Sequence, residues 1–249
     1  MDQRREPILN VPAVVVALLL LLGGVHVVRE FVLSDNADRI LVWTLAFVPA
    51  RYDATILTGV LPGGWGAQFW TFLTYALLHA DFTHLGFNAV WLLAFASPVS
   101  RRFGVGRFLL FFAVTVAAGA LAYLVVHPGE LAPMVGASAG ISGMMGAAAR
   151  FAFEPGGSLD MWHGDREHAD QVPAAPLIVA LRNPRVLTFV GVWFGLNLLF
   201  GLGSLSMVGG GNQSVAWEAH VGGFLAGLLL FSAFDPMAPP ASSDDPTVH

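Results

Sequence analysis

Residues 134–147 read Met134-Val135-Gly136-Ala137-Ser138-Ala139-Gly140-Ile141-Ser142-Gly143-Met144-Met145-Gly146-Ala147. Pro133 and Gly136 are turn signals, so an irregular segment becomes helix near Ser138. From there to Phe153 is about 16 residues, or roughly 24 Å at 1.5 Å per residue, against a hydrocarbon layer of about 30 Å. An apolar helix that short predicts one submerged end. Helical backbone that starts inside a bilayer is tolerated only where it lines protein or a water-filled cavity. A polar, glycine-rich helix start at that depth marks a site. Ser138, Ser142 and Gly146 recur every fourth residue, a small-residue face on which a second backbone can lie close.

The chain around this stretch reads as a membrane protein. Of its 249 residues, 55% are hydrophobic and 12% charged, against about 25% charged in soluble domains. There is no cysteine, which excludes disulfides and thiolate metal sites. The net charge of -5 is scattered, and no basic stripe points to nucleic acid. Apolar runs predict six spans, at about 11–28, 69–97, 107–126, 138–153, 186–202 and 215–234. The first follows Arg4 and Arg5 as a secretory signal would, but no small-x-small cleavage motif comes after it, so it reads as a retained anchor. The apolar stretch 40–50 is too short to span and predicts an interfacial or re-entrant segment. Residues 154–184 form a polar loop, and 203–214 a flexible Gly/Ser connection. The organisation is thus an N-terminal tail, 1–10, a six-helix membrane domain, 11–235, and a tail, 236–249, that reads as disordered. Six spans put both termini on one side. Nine arginines fall on that side and three (Arg29, Arg39 and Arg51) on the other, which predicts cytoplasmic termini.

Polar side chains inside spans default to functional hypotheses. His84 and Asn88 lie four apart, on one helix face. Ser138 opens the fourth span, and His220 sits about one and a half turns into the sixth. All four fall in the outward half of their helices, so one outward-open polar cavity could collect them. Ala219, Gly223 and Gly227 form a second small-residue face, matching the one on the fourth span. Close approach there would bring Ser138 to His220, and a serine–histidine hydrogen bond needs about 2.6–3.2 Å. Ser142 is the alternative nucleophile, because Gly140-Ile141-Ser142-Gly143 also has a Gly-x-Ser-Gly form. Its place one turn deeper, able to bond back to its own helix, favours Ser138. His79 reads as structural, ordering a loop or donating to a backbone carbonyl. Glu218 reads as a rim charge. His127, His163 and His168 read as solvated loop residues without metal-ligand spacing. No cofactor and no metal are expected.

Three motifs resemble the rhomboid family of intramembrane serine proteases. The 134–147 stretch is similar to the family's serine motif. Ala219-His220-Val-Gly-Gly223-Phe-Leu-Ala-Gly227 is similar to its sixth-helix A-H-x-x-G-x-x-x-G. His79-x4-His84-x3-Asn88 is similar to its second-helix H-x4-H-x3-N. The order and the spans agree over about residues 65–235. The resemblance implies an all-α, six-transmembrane bundle whose short fourth helix starts inside the membrane. It implies a Ser138–His220 dyad, with His84, Asn88 and the Ser138 backbone N–H forming the oxyanion hole, and with Gly136, Gly223 and Gly227 structural beside it. The substrates it implies are single-span membrane proteins, in the lipid bilayer of a bacterial inner membrane. Three positions depart from the pattern. Thr71 follows Trp70 where many members have arginine, which bears on loop anchoring. Ser142 stands where some members have a tyrosine beneath the base, and Ala139 replaces the usual glycine after the nucleophile. A catalytically inactive relative that binds membrane proteins is the main alternative. A transporter is a weaker one, since no internal repeat is visible.

Overall fold

The computed structural model describes residues 11–53, 55, 61–160, 169–201 and 215–237. The 1–10 tail, the 203–214 connection, His163, His168 and residues 238–249 lie outside them. The helices are α1 Ala13–Phe31, α2 Asp35–Leu45, α3 Ala67–Thr74, α4 Phe82–Trp91, α5 Ser97–Phe103, α6 Val105–Val126, α7 Ser138–Ala148, α8 Leu177–Ala180, α9 Pro184–Gly201 and α10 Trp217–Phe234. A π-helical turn, Leu92–Ala96, joins α4 to α5 in one apolar run, Phe82–Phe103. Among the described residues, four helical runs are long and apolar enough to cross a membrane: Ala13–Phe31, Phe82–Phe103, Val105–Val126 and Trp217–Phe234. Among the described residues the one β-type pairing is an antiparallel bridge between Phe47 and Met134. The all-helical membrane architecture follows from these observations.

Helix α7 is the axis of the bundle. All of its residues except Ser138 are buried, between α6 and α10. Its glycines explain how two neighbours fit so closely. A Cβ at Gly146 would stand 2.3 Å from the Phe224 carbonyl oxygen, one at Gly223 2.0 Å from that of Ala139, and one at Gly227 2.1 Å from that of Gly143. On the other side, a Cβ at Gly119 of α6 would meet the Ala139 Cβ at 2.4 Å. The backbones of α7 and α10 therefore touch directly, at the expected Gly223 and Gly227 of α10, and on α7 at Ala139 and Gly143 as well as the expected Gly146.

Three boundaries differ from the sequence reading. The run 69–97 is not one helix. It breaks at Leu78–Asp81, where Asp81 becomes the N-cap of α4 by accepting the His84 N–H at 2.8 Å. Hydropathy merged the two pieces because the break is four residues long and half apolar. The fourth helix ends at Ala148 rather than near Phe153, because the chain turns over at 149–153. Arg150 anchors that turn, its guanidinium donating to the carbonyls of Ala175 (3.0 Å) and Leu228 (3.2 Å) and to Ser232 Oγ (3.2 Å). The stretch 40–50 is not one element. Its first half belongs to α2, capped by Ser34, whereas Ala46, Phe47, Val48 and Ala50 are buried.

The two ends of the bundle are chemically distinct. At the C-terminal end of α10, Arg102 pairs with Asp235 at 2.8 Å with both side chains buried. It also donates to the carbonyls of Asp170 (3.1 Å) and Val172 (2.7 Å). Arg101 pairs with Asp170 and Arg185 with Asp160. The opposite end holds Ser138.

Candidate active site

The segment before α7 is held in an extended path by backbone bonds. Phe47 and Met134 exchange N–H···O bonds of 3.1 and 2.8 Å, the Ala50 N–H donates to Glu130 O at 2.9 Å, and the Gly136 N–H donates to Tyr75 O at 3.0 Å. Tyr75 is itself fixed, donating its hydroxyl to Val116 O at 2.8 Å. Gly136 has φ +124°, which side chains with a Cβ rarely adopt. A Cβ there would meet His84 Nε2 at 2.8 Å, and Ser138 Oγ lies 3.5 Å from the same point. Gly136 thus lets the loop pass between the His84 ring and the serine, and α7 starts at Ser138 with its first N–H groups free of intrahelical partners.

Ser138 Oγ stands 2.7 Å from His220 Nε2. Ser138, not Ser142, is the serine bonded to this histidine; Ser142 is buried a turn deeper. The two residues come from the helices whose glycines touch. Gly223 follows His220 by three residues, so the tightest backbone crossing lies one turn from the pair.

His84 is half-buried, with Nδ1 facing the Ala80 N–H at 3.5 Å, the limit of a hydrogen bond. That bond assigns the ring proton to Nε2, the nitrogen beside Gly136. Asn88, one turn on, is buried; its Nδ2 donates to His84 O at 2.9 Å, and its Oδ1 has no partner among the described residues. The second Nδ2 hydrogen is left over for another acceptor. His79 is fully buried, but its ring does not donate to a carbonyl as expected, because both nitrogens lack partners among the described residues. Its ring lies 5.1 Å from that of His84. Its backbone oxygen accepts Arg29 Nη1 at 2.6 Å, and Arg29 also pairs with Asp38 at 2.7 Å.

His127 differs from its sequence reading. His127 is not simply solvated: it bridges Glu130 at 2.6 Å and Glu218 at 3.1 Å. Thr71, which follows Trp70, is buried and donates to Ala67 O at 2.5 Å. The anchoring falls to other side chains. Arg51 donates to the Trp43 carbonyl, Trp70 Nε1 to Thr44 O at 2.9 Å, and Thr74 to Leu45 O at 2.7 Å. No group of three or more His, Asp or Glu among the described residues is placed to hold a metal ion.

One residue beside the pair escaped the sequence reading. Asn197 of α9 is buried, with its Oδ1 2.5 Å from His220 Nδ1 and its Nδ2 donating to Trp193 O at 2.8 Å. The available signal was the one side-chain amide inside the run 186–202, under the same rule that applies to Asn88.

A family model described as Rhomboid domain matches residues 66–234. Among curated proteins, the rhomboid protease GluP of Bacillus subtilis is 31% identical over 124 residues, covering 50% of this chain and 22% of that protein. YdcA of the same organism is 38% identical over 122 residues, covering 48% of this chain and 59% of that protein. Human Rhomboid-related protein 3 is 38% identical over 81 residues, covering 32% of this chain and 20% of that protein. The aligned parts are thus between about a fifth and three fifths of these relatives.

Proposed function

The chain belongs to the rhomboid family, and on that premise we propose that it is an intramembrane serine endopeptidase acting through Ser138 and His220. The 2.7 Å contact between Ser138 Oγ and His220 Nε2 carries this reading. A serine hydroxyl is inert until a base within hydrogen-bond reach takes its proton. In the proposed reaction Ser138 Oγ attacks the scissile carbonyl while its proton passes to His220 Nε2. The oxygen of the tetrahedral intermediate meets His84 Nε2–H, Asn88 Nδ2–H and the Ser138 backbone N–H. Each such donor is worth about 2.7–4 kcal/mol, and the positive end of α7 adds to them. His220 then returns the proton to the leaving amine, and water releases the acyl group from Ser138 by the same route reversed.

The surroundings support a membrane setting. Helices α7 and α9 join the four long apolar helices to make six spans, with α7 at about 16 Å too short to cross alone. The belt of Arg101, Arg102, Arg150 and Arg185 lies at the end away from Ser138. It supports cytoplasmic termini in a bacterial inner membrane. Substrates are then single-span membrane proteins cut within or near their membrane segment, on the outward side.

The test is cleavage of a model single-span substrate in proteoliposomes, together with covalent labelling by a fluorophosphonate. Ser138→Ala and His220→Ala are expected to lose both signals, and Ser142→Ala to keep both. Undiminished cleavage by Ser138→Ala or His220→Ala sinks the dyad. A folded wild-type protein that neither cleaves nor labels points instead to a non-catalytic relative that binds membrane proteins.

A further inference from the structure

We propose that Asn197 is a positioning residue that holds His220 in the tautomer able to act as a base. This rests on the reading of Ser138 and His220 as nucleophile and base.

A neutral imidazole carries one hydrogen, and only the nitrogen without it can accept from Ser138. The amide of Asn197 decides which nitrogen that is. Its Nδ2 donates to the Trp193 carbonyl at 2.8 Å. Turning the amide over would set two carbonyl oxygens against each other, so Oδ1 faces His220 Nδ1, at 2.5 Å. A carbonyl oxygen accepts and never donates, so Nδ1 carries the hydrogen. Nε2 is left with a lone pair directed at Ser138 Oγ, 2.7 Å away. The other tautomer would bring the Nδ1 lone pair against Oδ1 and turn an N–H toward the serine. Asn197 is buried, so water does not readily replace the lost partner.

The same bond fixes the ring plane. Ser142, one turn after Ser138 on α7, has no ring to stack on His220. Support for His220 therefore comes from the side, from α9. Asn197 occupies the place that a carboxylate takes in a Ser–His–Asp triad, and its neutral amide orients the imidazole without a counter-charge. Ser138, His220 and Asn197 form one chain of bonds drawn from α7, α10 and α9.

The test compares kcat and KM for a single-span substrate among wild type, Asn197→Leu, Asn197→Ala and Asn197→Asp. Wild type and Ser138→Ala are run alongside, and the 15N imidazole spectrum of His220 is recorded. Asn197→Leu and Asn197→Ala are expected to lose about 10–100-fold in kcat, with KM within about threefold. Asn197→Asp keeps an acceptor toward His220 Nδ1 and, as the neutral acid in this buried site, an O–H donor toward the Trp193 carbonyl, so it should recover most of the loss, which a packing role would not produce. Wild-type His220 should be protonated on Nδ1, and Asn197→Leu should show both tautomers. An Nε2-protonated wild-type ring, a wild-type kcat in Asn197→Leu, or an equal loss in Asn197→Asp overturns the proposal. These outcomes are separable from failure of the dyad, which would appear as an inert wild type or an active Ser138→Ala.

Discussion

Replacing Gly223 by alanine tests whether the helix crossing sets the reactive distance. The added Cβ would stand 2.0 Å from Ala139 O, 2.8 Å from Ala139 C and 3.1 Å from Ala139 Cα. Real Cβ contacts essentially never fall below 3.0 Å, and every atom met here is backbone. No side chain can swing aside, so α7 and α10 must part or slip by about 1 Å. Ala139 adjoins Ser138, and Gly223 lies one turn from His220. The displacement is therefore delivered to a pair that begins at 2.7 Å. About 1 Å more exceeds hydrogen-bond reach, and a misplacement of that size costs about 10²-fold in rate. The overpacking itself should cost about 1–3 kcal/mol, so the protein is expected to stay folded with a lowered Tm. The assay is the rate of fluorophosphonate labelling together with substrate cleavage, with Gly24→Ala as control, since a Cβ at Gly24 meets nothing within 4 Å. Gly223→Ala should be at least about tenfold slower in both, and Gly24→Ala unchanged. A folded Gly223→Ala that labels at the wild-type rate would refute the idea that direct backbone contact holds the pair.

Two further substitutions separate the site from its scaffold. Gly136→Ala forces a Cβ into a φ of +124° and against the His84 ring at 2.8 Å. It should lower kcat by about 10²-fold through displacement of an oxyanion donor, and a wild-type kcat would remove His84 from that role. Asp235→Ala leaves the buried Arg102 without its carboxylate and should destabilise by about 3 kcal/mol. That loss would show as a lower Tm, while the labelling rate of Ser138 stays the same at low temperature, because its partner His220 lies 15 residues from Asp235 along α10, about 22 Å.

Much of this site was legible because bilayers punish polar residues and reward small ones. A histidine, a serine and an asparagine in apolar runs stand out against their neighbours. Small residues at four-residue spacing read as backbone contact, and Gly223, Gly227 and Gly146 do lie in it, but the α7 residues that meet Gly223 and Gly227 are Ala139 and Gly143, one position along from the Ser138–Ser142–Gly146 face. What escaped notice has physical reasons too. The break at Leu78–Asp81 is decided by the Asp81 side chain capping the His84 N–H, and a hydropathy window averages such a bond away. The early end of α7 depends on Arg150 reaching Ala175 and Leu228, 25 and 78 residues distant. Asn197 was overlooked because its partner is 23 residues away on another helix. The order of residues marks Asn197 as a polar group inside an apolar run, but does not say which helix supplies its partner.

The two bonds of His220 rest on joints of unequal stiffness. The Ser138 bond is carried by α7 and α10, whose backbones meet at Gly223 and Gly227 with no side chain between them. Such a contact has no soft direction, because separating the helices forfeits all of its dispersion attraction at once. The Asn197 bond is carried by α9, which meets its neighbours through large side chains. Trp193 stacks on Phe224 with ring centres 4.7 Å apart, and Phe189 lies 5.4 Å from Phe95 and 5.2 Å from Phe153. Aromatic contacts can slide or re-pair at small cost, each being worth about 0.5–1.5 kcal/mol beyond its burial. Parting α9 from α10 would thus leave nucleophile and base in contact while removing the acceptor from Nδ1. The distance from serine to histidine is a property of the rigid pair, and the protonation pattern of the histidine depends on where α9 sits. Crosslinking α9 to α10 away from the site should therefore preserve the Nδ1-protonated ring, and loosening that contact with Trp193→Ala should mix the tautomers before it weakens the Ser138 contact.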